Sequence, residues 1–250
     1  MTFPPRLLGR AVLRCDRVAS TNDLLHTLAA RGAGEGTVVV AREQTAGRGR
    51  LGRMWASPRG GLWFSVLLRP SDPADARLGL MVAVGVAEAL RTVSGADVRI
   101  KWPNDLVLAG RKVGGILVEV RPPWAIVGIG VNVNVDPLDL PIEVRERATS
   151  LAAVSGRECD LADVLAGVLD GVDEVYAAYG SGTVEDVLER WRDLNITLGR
   201  FVEVRAGDRV VEGTALDIDG DGALLVAGLD GQAARVVGGD VTILAGGGRP

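Results

Sequence analysis

The arrangement of apolar residues changes character near residue 199, and this change is the strongest constraint on the fold. Before it, β-branched runs such as 37–41 alternate with segments such as 77–93, whose apolar residues recur every three or four positions. These patterns predict buried strands and amphipathic helices, respectively. After it, only short β-rich segments remain, separated by Gly and Asp, which is typical of a small barrel. We therefore predict an α+β domain over 1–197, a barrel over 198–246 and a tail over 247–250.

Further elements follow from the same patterns. In the first domain, strands are predicted at 62–68, 98–101, 112–120 and 125–133, and helices after Ser20, Thr149, Asp160 and Thr183. In the barrel, strands are predicted at 201–205, 209–217, 223–227 and 233–237. The first helix has the clearest start, because the Ser20 hydroxyl can cap free N–H groups and Asp23 stands where a capping-box acid would stand. The segment 44–61 has no apolar period and predicts a loop of functional length.

Bulk properties exclude several classes of protein. Hydrophobic residues make up 47% of the chain, which is enough for a sizeable core. The formal net charge of −4 argues against a protein whose main role is to hold nucleic acid. No stretch approaches the ~20 apolar residues of a membrane helix, and the segment 1–17 lacks the apolar core of a signal peptide. Two cysteines far apart in a chain without a signal peptide predict buried, reduced thiols in a cytoplasmic protein. From the charge and the lack of a membrane segment, we expect it to bind neither nucleic acid nor membranes.

The segment 42–53, here called the arginine loop, concentrates positive charge in an acidic protein. Its glycines allow the backbone to take positive φ and to approach a ligand closely. Its arginines supply permanently charged planar donors for phosphate or carboxylate oxygens. The residues concerned are Gly47, Gly49 and Gly52, with Arg48, Arg50 and Arg53. A lid over a small anionic ligand is one interpretation; a solvated loop, or one that contacts RNA, is the alternative.

The segments 100–106 and 111–119 carry a second group of polar residues. Pro103 ends a strand and presents Asn104 and Asp105, whose oxygens suit Mg²⁺. Lys112 begins the next strand, so a hairpin can bring its ammonium group to the same place. The alternative is that Asp105 is a turn residue and Lys112 a surface charge. Two consecutive glycines, Gly114 and Gly115, are unusual in an apolar strand and indicate close approach of a ligand.

A third segment, 127–134, has glycine at alternate positions. Glycines on one face of a strand leave a groove floor, and Asn132 can point its amide at that floor. By itself this pattern more often reflects tight packing.

Together these segments resemble the biotin protein ligase family, whose motifs occur here in the family's order. The matching segments are 20–22, 44–50, 101–105, 112–119 and 128–134. The resemblance covers essentially the whole chain. It implies a catalytic domain of the biotin/lipoate-ligase type, related to class II aminoacyl-tRNA synthetases, with a mixed β-sheet, flanking helices and a C-terminal SH3-like barrel.

The resemblance also implies an activity. The enzyme would activate biotin with ATP and Mg²⁺ to biotinyl-5′-AMP, without a tightly bound prosthetic group. It would then transfer biotin to a lysine of a biotin carboxyl carrier domain of an acyl-CoA or pyruvate carboxylase. Only about twenty residues precede Ser20, so the DNA-binding domain of repressor-type members is not expected, nor is transcriptional repression.

Residue roles are carried over from the resemblance by motif. The catalytic residues would be Lys112, Arg48 and Arg50. The biotin site would comprise Ser20, Thr21, Asn22, Gln44, Gly47, Arg48, Gly49, Arg50, Lys112, Gly115 and Leu117. The nucleotide site would comprise Arg50, Trp55, Asn104, Lys112 and Asn132, and the Mg²⁺ site Asp105 and Asn104. Leu51 stands where some relatives carry a basic residue, so the arginine loop has one charge fewer.

Two rival functions stay open on the sequence. A lipoate ligase has the same fold and adenylation chemistry, but its pocket needs no hydrogen bonds to a ureido ring, so the polar residues 20–22 and Gln44 favour biotin. A non-catalytic RNA-binding module could use the arginine loop and the barrel. The acidic net charge and the aromatic content of 4% weigh against it. Biotin-dependent ATP–pyrophosphate exchange would separate these possibilities.

Overall fold

The computed structural model describes residues 7–229 and 231–244. It contains two β-sheets and six α-helices in the described part of the chain. The first sheet is formed by β1 (Ala11–Val18), β2 (Thr37–Gln44), β3 (Leu62–Leu68), β4 (Arg99–Lys101), β5 (Asp105–Leu108), β6 (Arg111–Arg121) and β7 (Trp124–Val131). The helices are α1 (Thr21–Ala30), α2 (Arg77–Ser94), α3 (Ile142–Arg145), α4 (Leu151–Ser155), α5 (Leu161–Ser181) and α6 (Val184–Leu194). The second sheet is formed by β8 (Phe201–Ala206), β9 (Arg209–Ile218), β10 (Leu224–Gly228), β11 (Ala233–Val236) and β12 (Asp240–Ile243).

The first sheet is mixed and has the strand order β1-β2-β3-β7-β6-β5-β4. Strands β1 and β2 are parallel, and every other neighbouring pair is antiparallel. Successive side chains of a strand point to opposite faces. In β2, Val38 accordingly joins the main core with α2 and α5, whereas Val39 packs against Leu25 and Ala29 of α1. The sheet is therefore covered by helices on both faces.

Helix α1 covers only part of its face, and this leaves room for a site. Its apolar residues pack on Leu67 of β3 and Ile126 of β7. Ser65 of β3 and Gly128 of β7 lie two residues away from Leu67 and Ile126 on the same face of the sheet, and they are register partners. The sheet therefore has small residues beside the start of α1. Small residues at such a place leave a concave surface.

The second sheet is antiparallel, with the order β11-β10-β9-β8-β12. It occupies the segment predicted as a barrel and is called the barrel below. It packs against the unit formed by the first sheet and its helices. Trp102 connects the two: its Nε1 donates to the Gly222 carbonyl at 3.2 Å, and its backbone N–H donates to Thr197 Oγ1 at 3.0 Å. Trp102 and Thr197 are fully buried. The two units thus share a buried junction beside the predicted boundary at 197.

Most predicted elements are confirmed, and the exceptions have physical causes. Strand β3 and helix α2 begin and end within one residue of the predicted bounds. Strand β1 was missed because it is an edge strand with mostly exposed side chains, so it has no apolar alternation. Strands β5 and β12 were missed because each is short and directly follows turn-forming residues, Pro103-Asn104 before β5 and Gly239 before β12. The predicted tail at 247–250 lies outside the described residues.

No helix within residues 7–229 and 231–244 has the length and apolar character needed to cross a membrane. Cys15 and Cys159 are free thiols, and each is half-buried.

Candidate active site

A cavity of about 950 Å³ opens on the α1 face of the first sheet and reaches the barrel. Strands β6 and β7 contribute its floor, the arginine loop its cover, and β12 part of its far wall. Of the residues predicted to form the site, those that line the cavity are Ser20, Thr21, Asn22, Gln44, Arg48, Gly49, Arg50, Trp55, Asn104, Asp105, Lys112, Gly115, Leu117 and Asn132. Gly47 is not among the lining residues. The fold thus brings residues from five distant segments to one place.

The glycines of β7 form the predicted groove floor, and side chains rest on them. A Cβ at Gly128 would lie 2.4 Å from Asn22 Oδ1, and one at Gly130 would lie 2.7 Å from Trp55 Nε1. Any larger residue would displace these two groups, since such separations are far below van der Waals contact. The alternation of glycine therefore positions Asn22 and Trp55 in the cavity.

Uncharged groups surround one end of the cavity, here called the neutral end (Ser20, Thr21, Asn22, Gln44 and Ser65). The backbone N–H and hydroxyl of Thr21 both donate to Gln44 Oε1, at 2.8 and 3.0 Å. The Ser65 hydroxyl lies 2.7 Å from Thr21 Oγ1 and 2.6 Å from Asn22 Oδ1. Gln44 Nε2 donates to Ser57 Oγ at 2.9 Å. Thr21, Asn22 and Ser65 are buried and therefore depend on these partners, whereas Gln44 is half-buried.

Helix α1 explains why three consecutive residues reach the neutral end. Ser20 is its N-cap, and the Ser20 hydroxyl accepts from the Asp23 backbone N–H at 3.5 Å, as the sequence predicted. Thr21 and Asn22 occupy the first turn and are buried. The start of α1 therefore points the side chains of this turn at the sheet floor.

Arg48 of the arginine loop is fixed by two carboxylates. Its guanidinium donates to both oxygens of Asp23, at 2.6 and 2.7 Å, and to Glu119 Oε1 at 3.1 Å. Hydrogen bonding to Arg48 holds the pKa of Asp23 below its ordinary value, and the bond to Asp23 raises the pKa of Arg48. Arg48 thus fastens the loop to α1 and to β6.

Lys112 lines the cavity beside Trp55 and Asp105. Its Nζ is 2.5 Å from Asp105 Oδ1 and 5.1 Å from the centroid of the Trp55 ring. Lys101 Nζ approaches the second oxygen of Asp105 at 3.8 Å. The Trp55 ring packs edge-on against Trp63, with centroids 6.4 Å apart. The predicted hairpin is therefore present, and Asp105 holds two ammonium groups on the floor.

The other end of the cavity, here called the cationic end, is lined by Lys101, Arg111, Arg147 and Arg205. At its cover, Arg50 Nη1 donates to Asn104 Oδ1 at 3.1 Å and to the Gly239 carbonyl at 3.3 Å. Burial lowers the pKa of Arg50. Arg53 pairs with Asp240 of β12 at 2.5 Å. The arginine loop is thus tied to the barrel at this end.

The backbone of the arginine loop differs from the prediction for its glycines. Only Gly52 of the three has positive φ, at 71°, and Leu51 beside it has φ 56°. Gly49 has φ −106°. Gly47 is required by close packing, because a Cβ there would lie 2.5 Å from the Trp55 carbonyl oxygen. Gly47 therefore shapes the loop from outside the cavity.

Asn104 and Asp105 do not by themselves form a Mg²⁺ site. Asn104 Oδ1 accepts from Arg50, and both oxygens of Asp105 face lysines. The described part of the chain contains no group of three or more Asp, Glu, His or Cys side chains that could hold a metal ion. An ATP-bound Mg²⁺ would bring phosphate and water ligands of its own. The metal role of these two residues stays a prediction, and no step below depends on it.

The sequence did not predict a role for two polar residues of the site, Ser65 and Glu119. Ser65 joins Thr21 to Asn22, and Glu119 accepts from Asn22 Nδ2 at 2.7 Å. Ser65 could have been noticed as the one hydroxyl in the fully buried strand Leu62–Leu68. Asn132 is buried; its Nδ2 donates to the Thr149 carbonyl at 2.9 Å, and its Oδ1 has no partner.

Comparison with known proteins identifies the family of this chain. The sequence profile of the biotin/lipoate A/B protein ligase family matches residues 15–136, and that of the biotin protein ligase C-terminal domain matches residues 197–244. The bifunctional ligase/repressor BirA of Bacillus subtilis is 37% identical over 88% of this chain and 70% of its own length. The biotin–[acetyl-CoA-carboxylase] ligase of Mycobacterium tuberculosis is 35% identical over 91% of this chain and 87% of its own length.

Solved structures agree with the sequence matches. The biotin protein ligase from Aquifex aeolicus in complex with biotin and ATP superposes with a TM-score of 0.84 at 31% identity. The superposition covers 94% of this chain and 99% of that one. With relatives at least 30% identical over most of this chain, the chain belongs to the biotin protein ligase family.

Proposed function

We propose that this ligase activates biotin with ATP to biotinyl-5′-AMP and transfers the biotinyl group to a lysine of a biotin carboxyl carrier protein. One observation carries the proposal: residues of the neutral end, residues of the cationic end and Lys112 line a single cavity. Biotin has a polar uncharged ring at one end and a carboxylate at the other. The cavity offers a surface for each of them.

The neutral end fits the ureido ring of biotin. A cyclic urea has two N–H donors and one carbonyl acceptor, so its pocket needs both acceptors and donors. The hydroxyls and amides of Ser20, Thr21, Asn22 and Gln44 supply both, and Gly115 leaves space beside Leu117. Lipoate has no such ring, and a pocket with polar groups left unpaired would bind it poorly.

The cationic end fits the phosphates of ATP. In the first step a biotin carboxylate oxygen attacks the α-phosphorus, and the bond to the bridging oxygen breaks to release pyrophosphate. Negative charges must approach each other in this step, and we assign Lys112, Arg48 and Arg50 to their stabilisation. In the second step the acceptor lysine amine attacks the carboxyl carbon, and AMP leaves. Covering the anhydride keeps water from it between the steps, which is the role proposed for the arginine loop with Gly47 and Gly49.

Adenine is assigned to the surface between Trp55 and Asn132. The Trp55 ring offers an apolar face in the cavity, and its Nε1 is buried without a partner. The unpartnered Asn132 Oδ1 is an acceptor that suits an exocyclic amino group. Asn104 lies nearer the phosphates, beside Arg50.

The proposed acceptor is the carrier domain of an acyl-CoA or pyruvate carboxylase. Relatives named biotin–[acetyl-CoA-carboxylase] ligase, from Mycobacterium tuberculosis and Paracoccus denitrificans, support it. We propose that the protein acts in the cytoplasm, where ATP and such acceptors occur, and that it does not repress transcription. The net charge of −4 supports the last point.

Pyrophosphate exchange tests the proposal. The protein should catalyse ATP–pyrophosphate exchange with biotin and not with lipoate at the same concentration, because only biotin pairs with the neutral end. Incubation with labelled biotin, ATP and a purified carrier domain should label one lysine of the carrier. Exchange that depends on lipoate and not on biotin would reverse the assignment. A gel-shift assay with genomic DNA fragments should detect no specific complex.

A further inference from the structure

A series of neighbouring polar groups runs from β7 to the neutral end, and its shortest links are those made by Asn22. Trp124 Nε1 donates to His26 Nδ1 at 3.4 Å, and His26 Nε2 lies 3.5 Å from Glu119 Oε2. The same Glu119 oxygen accepts from Asn22 Nδ2 at 2.7 Å. At the far end, Asn22 Oδ1 faces the Ser65 hydroxyl at 2.6 Å. His26 and Asn22 are both about 95% buried, so water does not replace these partners.

This series determines which way the Asn22 amide points. A carboxylate only accepts hydrogen bonds, so Glu119 must face the NH₂ group of Asn22. The reversed amide would set its oxygen against the Glu119 carboxylate, which would leave the buried Asn22 acceptor facing a half-buried one. Asn22 Oδ1 is therefore held above Gly128, on the floor of the cavity. An amide oxygen has two lone pairs, and Ser65 uses one of them.

Arg48 fixes the Glu119 carboxylate, because it donates to Glu119 Oε1 at 3.1 Å. Because Nδ1 of His26 accepts from Trp124, the ring proton lies on Nε2 and faces Glu119 from 3.5 Å. Burial lowers the pKa of His26; Arg121 adds to this effect, whereas Glu119 and Asp23 oppose it. His26 Nε2 makes no hydrogen bond within the described part of the chain, so His26 flanks the carboxylate and Arg48 holds it.

We propose that Glu119 is a specificity-determining positioning residue, which presents Asn22 Oδ1 as a hydrogen-bond acceptor to an N–H group of the bound ligand. The inference rests on the proposed function, because it takes the ligand to be a cyclic urea. A cyclic urea supplies the N–H donor that this oxygen needs, and a ligand without one leaves the oxygen unpaired. Glu119 acts through Asn22 and does not touch the reacting atoms.

The test is a double-mutant cycle of Glu119→Gln and Asn22→Ala, with biotin binding measured by calorimetry. Glu119 accepts from Asn22 on one oxygen and from Arg48 on the other, so the NH₂ group of a glutamine would face one of these two donors. Biotin should bind Glu119→Gln at least tenfold more weakly, which corresponds to a lost hydrogen bond to a charged group. KM for biotin should rise by a similar factor, with KM for ATP unchanged. In the Asn22→Ala background, Glu119→Gln should cause no further loss.

Two control variants isolate the contribution of Glu119. Glu43→Gln makes the same change on β2, where the carboxylate pairs only with Arg17 and Arg59 among the ion pairs of the described chain, and should bind biotin like the parent. Asp23→Asn removes the other carboxylate partner of Arg48 but has no contact with the Asn22 side chain. A loss in Asp23→Asn equal to that in Glu119→Gln would assign the effect to Arg48 and overturn the proposal.

The remaining outcomes are also distinguishable. If Asn22→Ala leaves biotin binding unchanged, the assignment of the neutral end to biotin fails. If Asn22→Ala weakens binding and Glu119→Gln adds a full further loss, only the role of Glu119 fails. Should Glu119→Gln not fold, Glu119→Asp keeps the charge but draws the carboxylate away from Asn22 Nδ2 by the length of one methylene group. It should weaken biotin binding severalfold and cause no further loss in the Asn22→Ala background; unchanged binding would contradict the proposal.

Discussion

The two ends of the cavity are held together by different forces. At the neutral end, buried uncharged groups bond to one another, and Thr21, Asn22 and Ser65 are each less than 5% exposed. At the cationic end, the cover is tied to the barrel by charged groups near the surface; the Arg53 and Asp240 side chains are 59% and 38% exposed. A buried polar group is costly to leave unpaired, whereas an exposed ion pair contributes little. The neutral end is therefore preformed, and the cationic end can rearrange when phosphates arrive.

This contrast makes a graded set of predictions. The largest effect is expected where the two ends meet. Lys112→Met should lower the rate of adenylate formation by roughly 10²-fold, because it removes the charge between the carboxylate and the α-phosphate. Single-turnover assays would measure this rate, and calorimetry should find a much smaller change in biotin affinity. Lys101→Met is the matched control, since Lys101 contacts the same carboxylate from 3.8 Å and should matter less. Equal losses in both variants would remove the special role of Lys112.

The next largest effect tests whether the neutral end is preformed. Thr21→Val keeps the shape of the side chain but removes the hydroxyl between Gln44 and Ser65. Biotin affinity should fall roughly 30-fold, because a buried hydroxyl loses its partner. Thr27→Val is the control in the same helix, since the Thr27 hydroxyl bonds only to the Asp23 carbonyl near the surface. A Thr21→Val variant with parental affinity would mean that the network does not reach the ligand.

A smaller effect is expected from the cover itself. Arg50→Gly removes the bonds to Asn104 and to the Gly239 carbonyl. The adenylate should dissociate roughly tenfold faster, and it should then react with lysines of unrelated proteins. Release of labelled adenylate on a filter and labelling of bovine serum albumin would measure both effects. Strict acceptor specificity in this variant would contradict a covering role.

The smallest effect is expected at the exposed ion pair between Arg53 and Asp240. Asp240→Asn breaks the pair with Arg53 and should change KM for ATP by about twofold, with less than about 1 kcal/mol of stability lost. The change should shrink at high salt. Asp217→Asn, which breaks the pair with Arg192 elsewhere on the barrel, should lose similar stability and leave KM for ATP unchanged. A tenfold effect of Asp240→Asn on KM would show that the cationic end is as preformed as the neutral end.

Local sequence patterns predicted the elements better than the contacts between them. Strand Leu62–Leu68 is apolar throughout and buried, so its pattern identifies it, whereas edge strand Ala11–Val18 has no apolar face to detect. The predicted site residues other than Gly47 line one cavity, and their roles in binding stay predictions. Glu119 bonds to Asn22 across 97 positions of sequence, and this contact depends on strand register. No local pattern encodes such a partner.

The same limit applies to the arginine loop. Its positive charge was evident in the sequence, but the anchors of Arg50 and Arg53 lie nearly 190 residues away in the barrel. The left-handed conformation of Leu51 was not predicted either, because glycine is the usual residue there and Gly52 follows it. Both features arise from packing between distant parts of the chain.

Trp102 limits how this enzyme could recombine with its relatives. The same short turn carries Trp102, which bonds to the barrel at Gly222, and the cavity residues Lys101 and Asn104 on either side. A chimera that receives a foreign barrel would therefore lose the fit at Trp102 and disturb its neighbours in the cavity. Such an exchange should succeed only when the turn is transplanted with the barrel. We therefore expect the barrel and the turn that carries Trp102 to be exchangeable only as a pair.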